Sequence, residues 1–159
     1  MKAATVNELK QELGHHTLKQ LIDYCTRLAR FKKENKELLT YLLFEAHDEQ
    51  AYIQSVKDDI DLQFSEIPRE NNLYLAKKSI RKILRIANKH IRYTGSKAAE
   101  IQLLLHYCKA LKNSGIPFRK SPVLVNLFEG QLKKVNKVLV TLHEDLQYDY
   151  RRELEELSN

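Results

Sequence analysis

Apolar residues recur three and four positions apart along almost the whole chain, and this spacing constrains the fold more than any other feature of the sequence. It is the spacing that places residues on one face of an α-helix. Only four glycines and three prolines occur among the 159 residues, so long helices fit and the many turns of an all-β protein do not. The sequence therefore predicts an all-α protein of about eight helices, arranged as a compact bundle or a short α-solenoid-like array.

The first half of the chain carries clear signals for helix starts. Thr5 is followed three residues later by Glu8, and Thr17 by Gln20, which is the spacing of a capping box. Gly14 stands between the two segments and is typical of a helix end. We therefore expect a short first helix, and a second helix that begins directly after Thr17.

In the second half, glycines suggest where helices end. Gly95 closes a helix expected over residues 72–94, and the next helix follows at once. The stretch "VLVNLFEG" is predicted to be a short helix that ends at Gly130. A long final helix, with apolar residues spaced along it as far as Leu157, is expected after it.

One stretch of the first half is echoed in the second. The segment "LIDYCTRL" at 21–28 returns as "LLHYCKAL" at 104–111. The apolar positions match as follows: Leu18 with Ile101, Leu21 with Leu104, Ile22 with Leu105, Cys25 with Cys108, and Leu28 with Leu111. The echo predicts two four-helix repeats, in halves 1–70 and 71–159 of a single domain spanning 1–159. Chance similarity between leucine-rich helices is the alternative.

Two longer stretches carry a family resemblance. "RFKKENKELLTYLLFEAHDEQAYIQSV" and "SIRKILRIANKHIRYTGSK" resemble segments of a family of uncharacterised all-helical bacterial proteins of unknown function. The resemblance implies a bacterial source and a helical fold. It implies no activity and no site residues.

Three features of the sequence bear on where in the cell the protein is located. No apolar run approaches the roughly 18 residues that a membrane-spanning helix needs. The opening "MKAATVNELKQELG" lacks the apolar core of an export signal. The two cysteines form no disulfide framework. We therefore expect a cytoplasmic protein without membrane association.

Charge is unevenly distributed along the chain. The net charge is +6, yet residues 45–70 hold eight acids and two bases, whereas residues 71–128 hold twelve bases and only one acid, Glu100. Such asymmetry bears on the choice of partners and not on the fold.

The basic helix over 72–94 separates into two faces on a helical wheel. Ala76, Ile80, Ile83, Leu84, Ala87 and Ile91 share the apolar face. The opposite face holds a basic stripe, which consists of Lys78, Arg81, Lys82, Arg85, Lys89 and Arg92. No acid in the helix neutralises the stripe through a pair four residues away. It is predicted to bind a polyanion such as nucleic acid, or an acidic protein surface. A solvated face without a ligand is the alternative.

Further basic residues follow the helix. Lys109, Lys112, Arg119 and Lys120 would extend the stripe if the next helix and linker fold beside it. Tyr74, Tyr93 and Tyr107 would support nucleic-acid binding only if they were exposed, because bases stack on exposed rings. The alternative is that these tyrosines belong to the edge of the core.

The favoured function is therefore a non-enzymatic binding or scaffold module. One alternative is a subunit of a helical homo-oligomer or larger assembly, in which the acidic segment 58–66 docks onto the stripe of a neighbour. The other is an enzyme whose site is assembled from scattered residues, with His47, Asp48 and His143 as candidate members. No cofactor, no metal site and no catalytic residue is predicted.

The cysteines argue against a nucleophilic enzyme. Cys25 and Cys108 each lie in the middle of an apolar stripe, so both are predicted to be buried. Burial raises the pKa of a thiol and keeps it unreactive.

Overall fold

Thr5 and Thr17 begin the first two helices with the reciprocal hydrogen bonds of a capping box, as the sequence predicts. The Glu8 carboxylate accepts a hydrogen bond from the backbone N–H of Thr5 at 2.7 Å. This bond, together with one from the Thr5 hydroxyl, lowers the pKa of Glu8 below its usual value. Gly14 ends the first helix with its backbone N–H bonded to the carbonyls of Gln11 and Glu12.

The computed structural model describes residues 1–68 and 73–158. The helices are α1 Val6–Leu13, α2 Leu18–Phe31, α3 Lys33–Thr40, α4 Glu49–Ser65, α5 Leu73–Thr94, α6 Lys97–Asn113, α7 Pro122–Leu139 and α8 Glu144–Ser158. A π-helical turn at Tyr41–Glu45 and a 3-10 turn at Ala46–Asp48 join α3 to α4, and a second 3-10 turn spans Phe118–Lys120. Within the described residues no β-strand occurs, and the all-α prediction is confirmed.

The predicted helix end at Gly130 is wrong. Helix α7 runs through Gly130 to Leu139, and the break comes at 140–143. A glycine in a helix interior is unfavourable by only about 1 kcal/mol, so the packing of the residues around it can outweigh the loss. Leu124, Phe128, Leu132, Val135 and Leu139 are buried along this single helix, and their packing accounts for its continuity.

Contacts divide the chain into two compact units, Met1–Glu45 and Ala46–Asn159, which we call the N-terminal and C-terminal units. The boundary between the predicted repeat halves, at residues 70 and 71, lies outside the described residues. The division into units falls instead at Glu45 and Ala46. A single domain and a four-helix repeat both stay predictions.

The C-terminal unit is built around α6. This helix packs against α4, α5, α7 and α8. Most of its side chains are therefore buried, including every position of the stripe that the echo singles out: Ile101, Leu104, Leu105, Cys108 and Leu111. The hydroxyl of Tyr107 donates a hydrogen bond to the backbone carbonyl of Ile80 at 3.1 Å, which satisfies a polar atom inside the core. Burial raises the pKa of Tyr107 well above its usual value.

The N-terminal unit contains α1, α2, α3 and the π-helical turn, and it has almost no core. Tyr41 is its one buried residue. The apolar periodicity of α2 predicts that its stripe forms part of a core, but Leu18, Ile22, Cys25 and Leu28 are exposed and only Leu21 and Ala29 are half-buried. That part of the sequence-based expectation is wrong, because a wheel identifies an apolar face without identifying what covers it.

Candidate polyanion-binding surface

Helix α5 presents the two faces that its sequence predicts. Ala76, Ile80, Ile83, Ala87 and Ile91 are buried in the core of the C-terminal unit, and Leu84 is partly buried against it. The core residues fix the rotation of the helix about its axis. The basic stripe on the opposite side must therefore face outward.

Most of the basic stripe is exposed and uncompensated. Lys78, Arg81, Lys82, Arg85 and Arg92 are exposed. Among the residues that the structure describes, none of these five side chains makes an ion pair or a hydrogen bond. Like charges held close together without counter-charges attract anions strongly. The stripe thus concentrates positive charge on one face of the helix.

Lys89 differs from the other members of the stripe. It is half-buried, and its Nζ lies 5.9 Å from the ring centre of Tyr93, over the ring face. This cation–π contact holds the ammonium near the helix surface. Tyr93 also packs edge-on against His90, whose Nδ1 is hydrogen-bonded to the hydroxyl of Tyr52 at 2.7 Å. The rings fix the last two turns of α5 against α4.

The stripe continues into a cleft at the C-terminal end of α5. The cleft has a volume of about 520 Å³, and three cations line it: Arg92 from α5, Lys97 from the start of α6 and Lys134 from α7. The Nζ of Lys134 pairs with the carboxylate of Glu100 at 3.0 Å and donates to the Oδ1 of Asn88 at 3.2 Å. One acid therefore offsets part of the charge, and the cleft keeps an excess of positive groups.

Lys134 was not predicted as part of this surface. It is separated from the stripe by more than forty residues, and in sequence it belongs to a segment with net negative charge. Only the packing of α7 against α6 brings it to Asn88 and Glu100. A weak signal exists in the spacing of Lys133, Lys134 and Lys137, which marks a basic side of α7.

The basic residues predicted to extend the stripe, Lys109 and Lys112 of α6 and Arg119 and Lys120 of the linker after it, do not reach the cleft. Lys109 lines a different cleft with Asp61 and His106, and the Nζ of Lys112 donates to the backbone carbonyl of Glu156 at 3.0 Å. Arg119 lies over the ring of Phe118, 5.8 Å from its centre. None of these residues lines the cleft that contains Arg92.

The tyrosines near the stripe do not form a stacking platform. Tyr107 is completely buried and Tyr93 is buried as well, whereas Tyr74 is exposed at the start of α5. Buried rings cannot stack on a base. The surface therefore offers charge for phosphates and little for bases.

The scattered residues proposed for an enzyme site have separate structural surroundings. Asp48 caps α4, because its carboxylate accepts the backbone N–H of Ala51 at 3.0 Å. His143 lies in the exposed turn before α8, with its Nδ1 3.4 Å from the carboxylate of Asp145. His47 is exposed in the 3-10 turn. Over the described ranges, no cluster of three or more His, Cys, Asp or Glu side chains could hold a metal ion.

One histidine–carboxylate pair was missed. The Nε2 of His106 lies 2.8 Å from the Oδ1 of Asp61, at a cleft of about 390 Å³ between α4 and α6. The two residues are 45 positions apart, and no spacing rule joins them. The other acids of that segment bond within α4, where Asp58 accepts from Gln54 and Asp59 from Gln63.

The two cysteines occupy opposite environments. Cys108 is buried, as predicted, and burial raises the pKa of its thiol to about 12. Cys25 is exposed, so its predicted burial is wrong. It lies on α2, in the N-terminal unit that lacks a core.

We expect one reactive thiol in each native chain. At pH 8 an aromatic disulfide reagent should label the exposed Cys25 within minutes, whereas Cys108 should react far more slowly because its side chain is enclosed and burial raises the pKa of its thiol. After denaturation both should react. Absorbance of the released thiolate measures the stoichiometry, and Cys25→Ser should leave no fast phase. Two fast thiols in the native protein would contradict the burial of Cys108.

Comparisons of the chain with protein-family models, with curated proteins and with solved structures find no match. The described part of the chain contains no helix that is both long and apolar enough to cross a bilayer. Function must therefore be inferred from the surface itself.

Proposed function

We propose that the protein is a non-enzymatic, cytoplasmic binding module that holds a polyanion, the phosphate backbone of nucleic acid, on the basic stripe. One observation carries the proposal: Lys78, Arg81, Lys82, Arg85 and Arg92 are exposed on one face of a helix and have no counter-charge among the described residues. The cleft at Lys97 and Lys134 prolongs this face.

The dimensions of the stripe suit a phosphate backbone. From Lys78 to Arg92 the helix rises about 21 Å, at about 1.5 Å per residue. Phosphates of one strand follow each other at about 3.4 Å along the axis of duplex DNA, so about six lie within this length. Five of the six basic side chains of the stripe are exposed, which is close to that number. A rigid helix that is anchored by its core face can present them without folding on binding.

Backbone contacts account for the expected specificity. Phosphate contacts position a protein on nucleic acid but carry no sequence information, whereas base-edge contacts and stacking read sequence. The stripe is built of Lys and Arg, and the rings of Tyr93 and Tyr107 are buried. We therefore expect binding with little dependence on sequence. An acidic protein surface is the competing partner, and the test below distinguishes it.

The binding test uses fluorescence anisotropy with a labelled duplex and a labelled single strand. The variant Arg81→Gln/Arg85→Gln should weaken binding about tenfold or more at low salt, because two phosphate contacts are lost from the middle of the stripe. Exposed substitutions of this kind change stability by less than about 0.5 kcal/mol, so the fold should persist.

A matched control is available on α2. Lys19→Gln/Arg27→Gln removes the same charge from exposed positions of the N-terminal unit and should leave the affinity within about twofold of the parent protein. Equal losses in both variants would show that only net charge matters. No binding of either nucleic acid at low salt would end the proposal. Binding of an acidic polypeptide in its place would favour a protein partner.

A further inference from the structure

The cleft at the C-terminal end of α5 brings cations of three helices together, and we call it the Arg92 cleft. Arg92 of α5, Lys97 of α6 and Lys134 of α7 line it, and all three side chains are exposed. Within the described residues neither Arg92 nor Lys97 makes an ion pair or a hydrogen bond. The volume of about 520 Å³ lies in the usual range of a site for a small ligand group.

Lys134 is held in the Arg92 cleft by a short chain of hydrogen bonds. The Nδ2 of Asn88 donates to the backbone carbonyl of Leu84 at 2.9 Å, which leaves the amide oxygen to accept from Lys134. The Nζ of Lys134 donates to that oxygen at 3.2 Å and pairs with the Glu100 carboxylate at 3.0 Å. An ammonium has three N–H donors, so one is left for a ligand. The cation is therefore positioned before an anion binds.

The net charge of the Arg92 cleft distinguishes two kinds of phosphate. Its charged lining residues, which are three cations and the carboxylate of Glu100, give a net charge of +2. A phosphate monoester, such as the phosphate at the end of a nucleic-acid strand, carries about −1.5 to −2 at neutral pH. A phosphate within the strand carries a single negative charge. The cleft therefore matches a terminal phosphate more closely than an internal one.

The start of α6 adds a weaker attraction for an anion. Gly95 and Ser96 line the cleft just before Lys97, the first residue of α6. The first N–H groups of a helix lie at the positive end of its dipole. The Ser96 hydroxyl accepts one of them, from Ala99 at 3.3 Å, and donates to Glu49 of α4 at 2.9 Å. Glu49 offsets part of the dipole but does not line the cleft, so the helix start assists the three cations without forming the site alone.

The basic stripe leads into the Arg92 cleft. Arg92 belongs to both, and on a helical wheel Asn88 and Arg92 lie on the same side of α5 as Arg81 and Arg85. Beyond Arg92, α5 ends at Thr94 and the chain continues into α6. A strand that follows the stripe toward the C-terminal end of α5 therefore reaches the cleft.

We propose that the Arg92 cleft binds the terminal phosphate monoester of a nucleic-acid strand whose internal phosphates lie along the basic stripe. The inference rests on the proposed function, because the stripe supplies the remaining contacts with the strand. Arg92 and Lys97 provide charge without a counter-ion, and Lys134 provides a positioned donor. The stripe alone binds all phosphates alike, whereas the cleft gives a preference for strands with a phosphorylated end.

Competition against a labelled duplex, measured by fluorescence anisotropy on the full chain, tests this preference. The competitors are unlabelled single strands of one sequence that carry a 5′-phosphate, a 3′-phosphate or hydroxyls at both ends. The strand whose phosphate reaches the cleft should compete about tenfold more strongly than the hydroxyl strand, because the added group makes charge-assisted hydrogen bonds. Equal competition by all three strands would overturn the terminal-phosphate site.

Three variants locate the preference. Lys97→Gln/Lys134→Gln should abolish it, since two of the three cations of the cleft are lost. Lys133→Gln/Lys137→Gln is the matched control, because it removes the same charge from exposed positions of α7 that do not line the cleft, and it should keep the preference. Glu100→Gln should strengthen it about threefold, since it removes the one acid among the described residues of the cleft. A gain of this kind cannot arise from misfolding.

The outcomes distinguish this site from the stripe. If the labelled duplex does not bind at low salt, the proposed function fails and the terminal-phosphate site fails with it. If strands bind without regard to their ends, or if both lysine pairs reduce the preference equally, the stripe remains and the site is wrong. Competition by a free nucleoside monophosphate that equals that of the phosphorylated strand would assign the cleft to small phosphate esters and would overturn the strand-end proposal.

Discussion

Raising the salt concentration from about 50 mM to about 200 mM should lower the affinity for duplex DNA about 500-fold. Each phosphate that the protein neutralises releases condensed counterions, and the logarithm of the affinity falls with the logarithm of the salt concentration by about 0.9 per contact. Five contacts, one from each exposed residue of the basic stripe, give a slope of about −4.5. Anisotropy titrations at four or five salt concentrations measure it.

The salt dependence of the variants tests which residues make the phosphate contacts. Arg81→Gln/Arg85→Gln should reduce the slope by about 2, whereas Lys19→Gln/Arg27→Gln should leave it unchanged. A single-stranded ligand should give a shallower slope of about −3.5, because single strands condense fewer counterions. A slope near −1 in the parent protein would mean that the stripe does not follow the phosphates, and the proposed function would be wrong.

Local rules predicted the parts of the fold that depend on local chemistry. The capping boxes at Thr5 and Thr17 form because both partners of each hydrogen bond lie within one turn. The two faces of α5 follow from its periodicity, so the buried positions and the exposed basic stripe could be predicted from one segment. These properties depend on the sequence of the helix itself and not on the helices that pack against it.

The failures share one cause, which is that packing partners are not encoded locally. The stripes of α2 and α6 are almost the same in sequence, yet Leu28 is 59% exposed and its match Leu111 is completely buried. Gly130 marks a helix end by composition, but the buried residues on both sides of it hold α7 together. Lys134 reaches the cleft, and Asp61 reaches His106, only after distant helices have packed. No pattern within a segment reveals such pairs.

Leu111→Ala should lower the free energy of unfolding of the C-terminal unit by about 2–5 kcal/mol. Leu111 is fully buried on α6, so the substitution loses apolar burial and leaves a cavity that the four surrounding helices fill only partly. The labelling rate of Cys108 in a Cys25→Ser background reports the unfolding of this unit specifically, because the thiol becomes reactive only when α6 is exposed. Measuring this labelling rate at increasing denaturant concentrations then gives the free energy of unfolding of the C-terminal unit.

Leu28→Ala is the matched control, since it makes the same chemical change at the echoed position of α2. In dilute solution it should change the free energy of unfolding of the C-terminal unit by less than about 0.5 kcal/mol, because an exposed side chain leaves no cavity. The losses of unfolding free energy in Leu111→Ala and Leu28→Ala thus distinguish the buried stripe of α6 from the exposed stripe of α2. A comparable loss in both variants would contradict the exposure of Leu28 on the apolar stripe of α2.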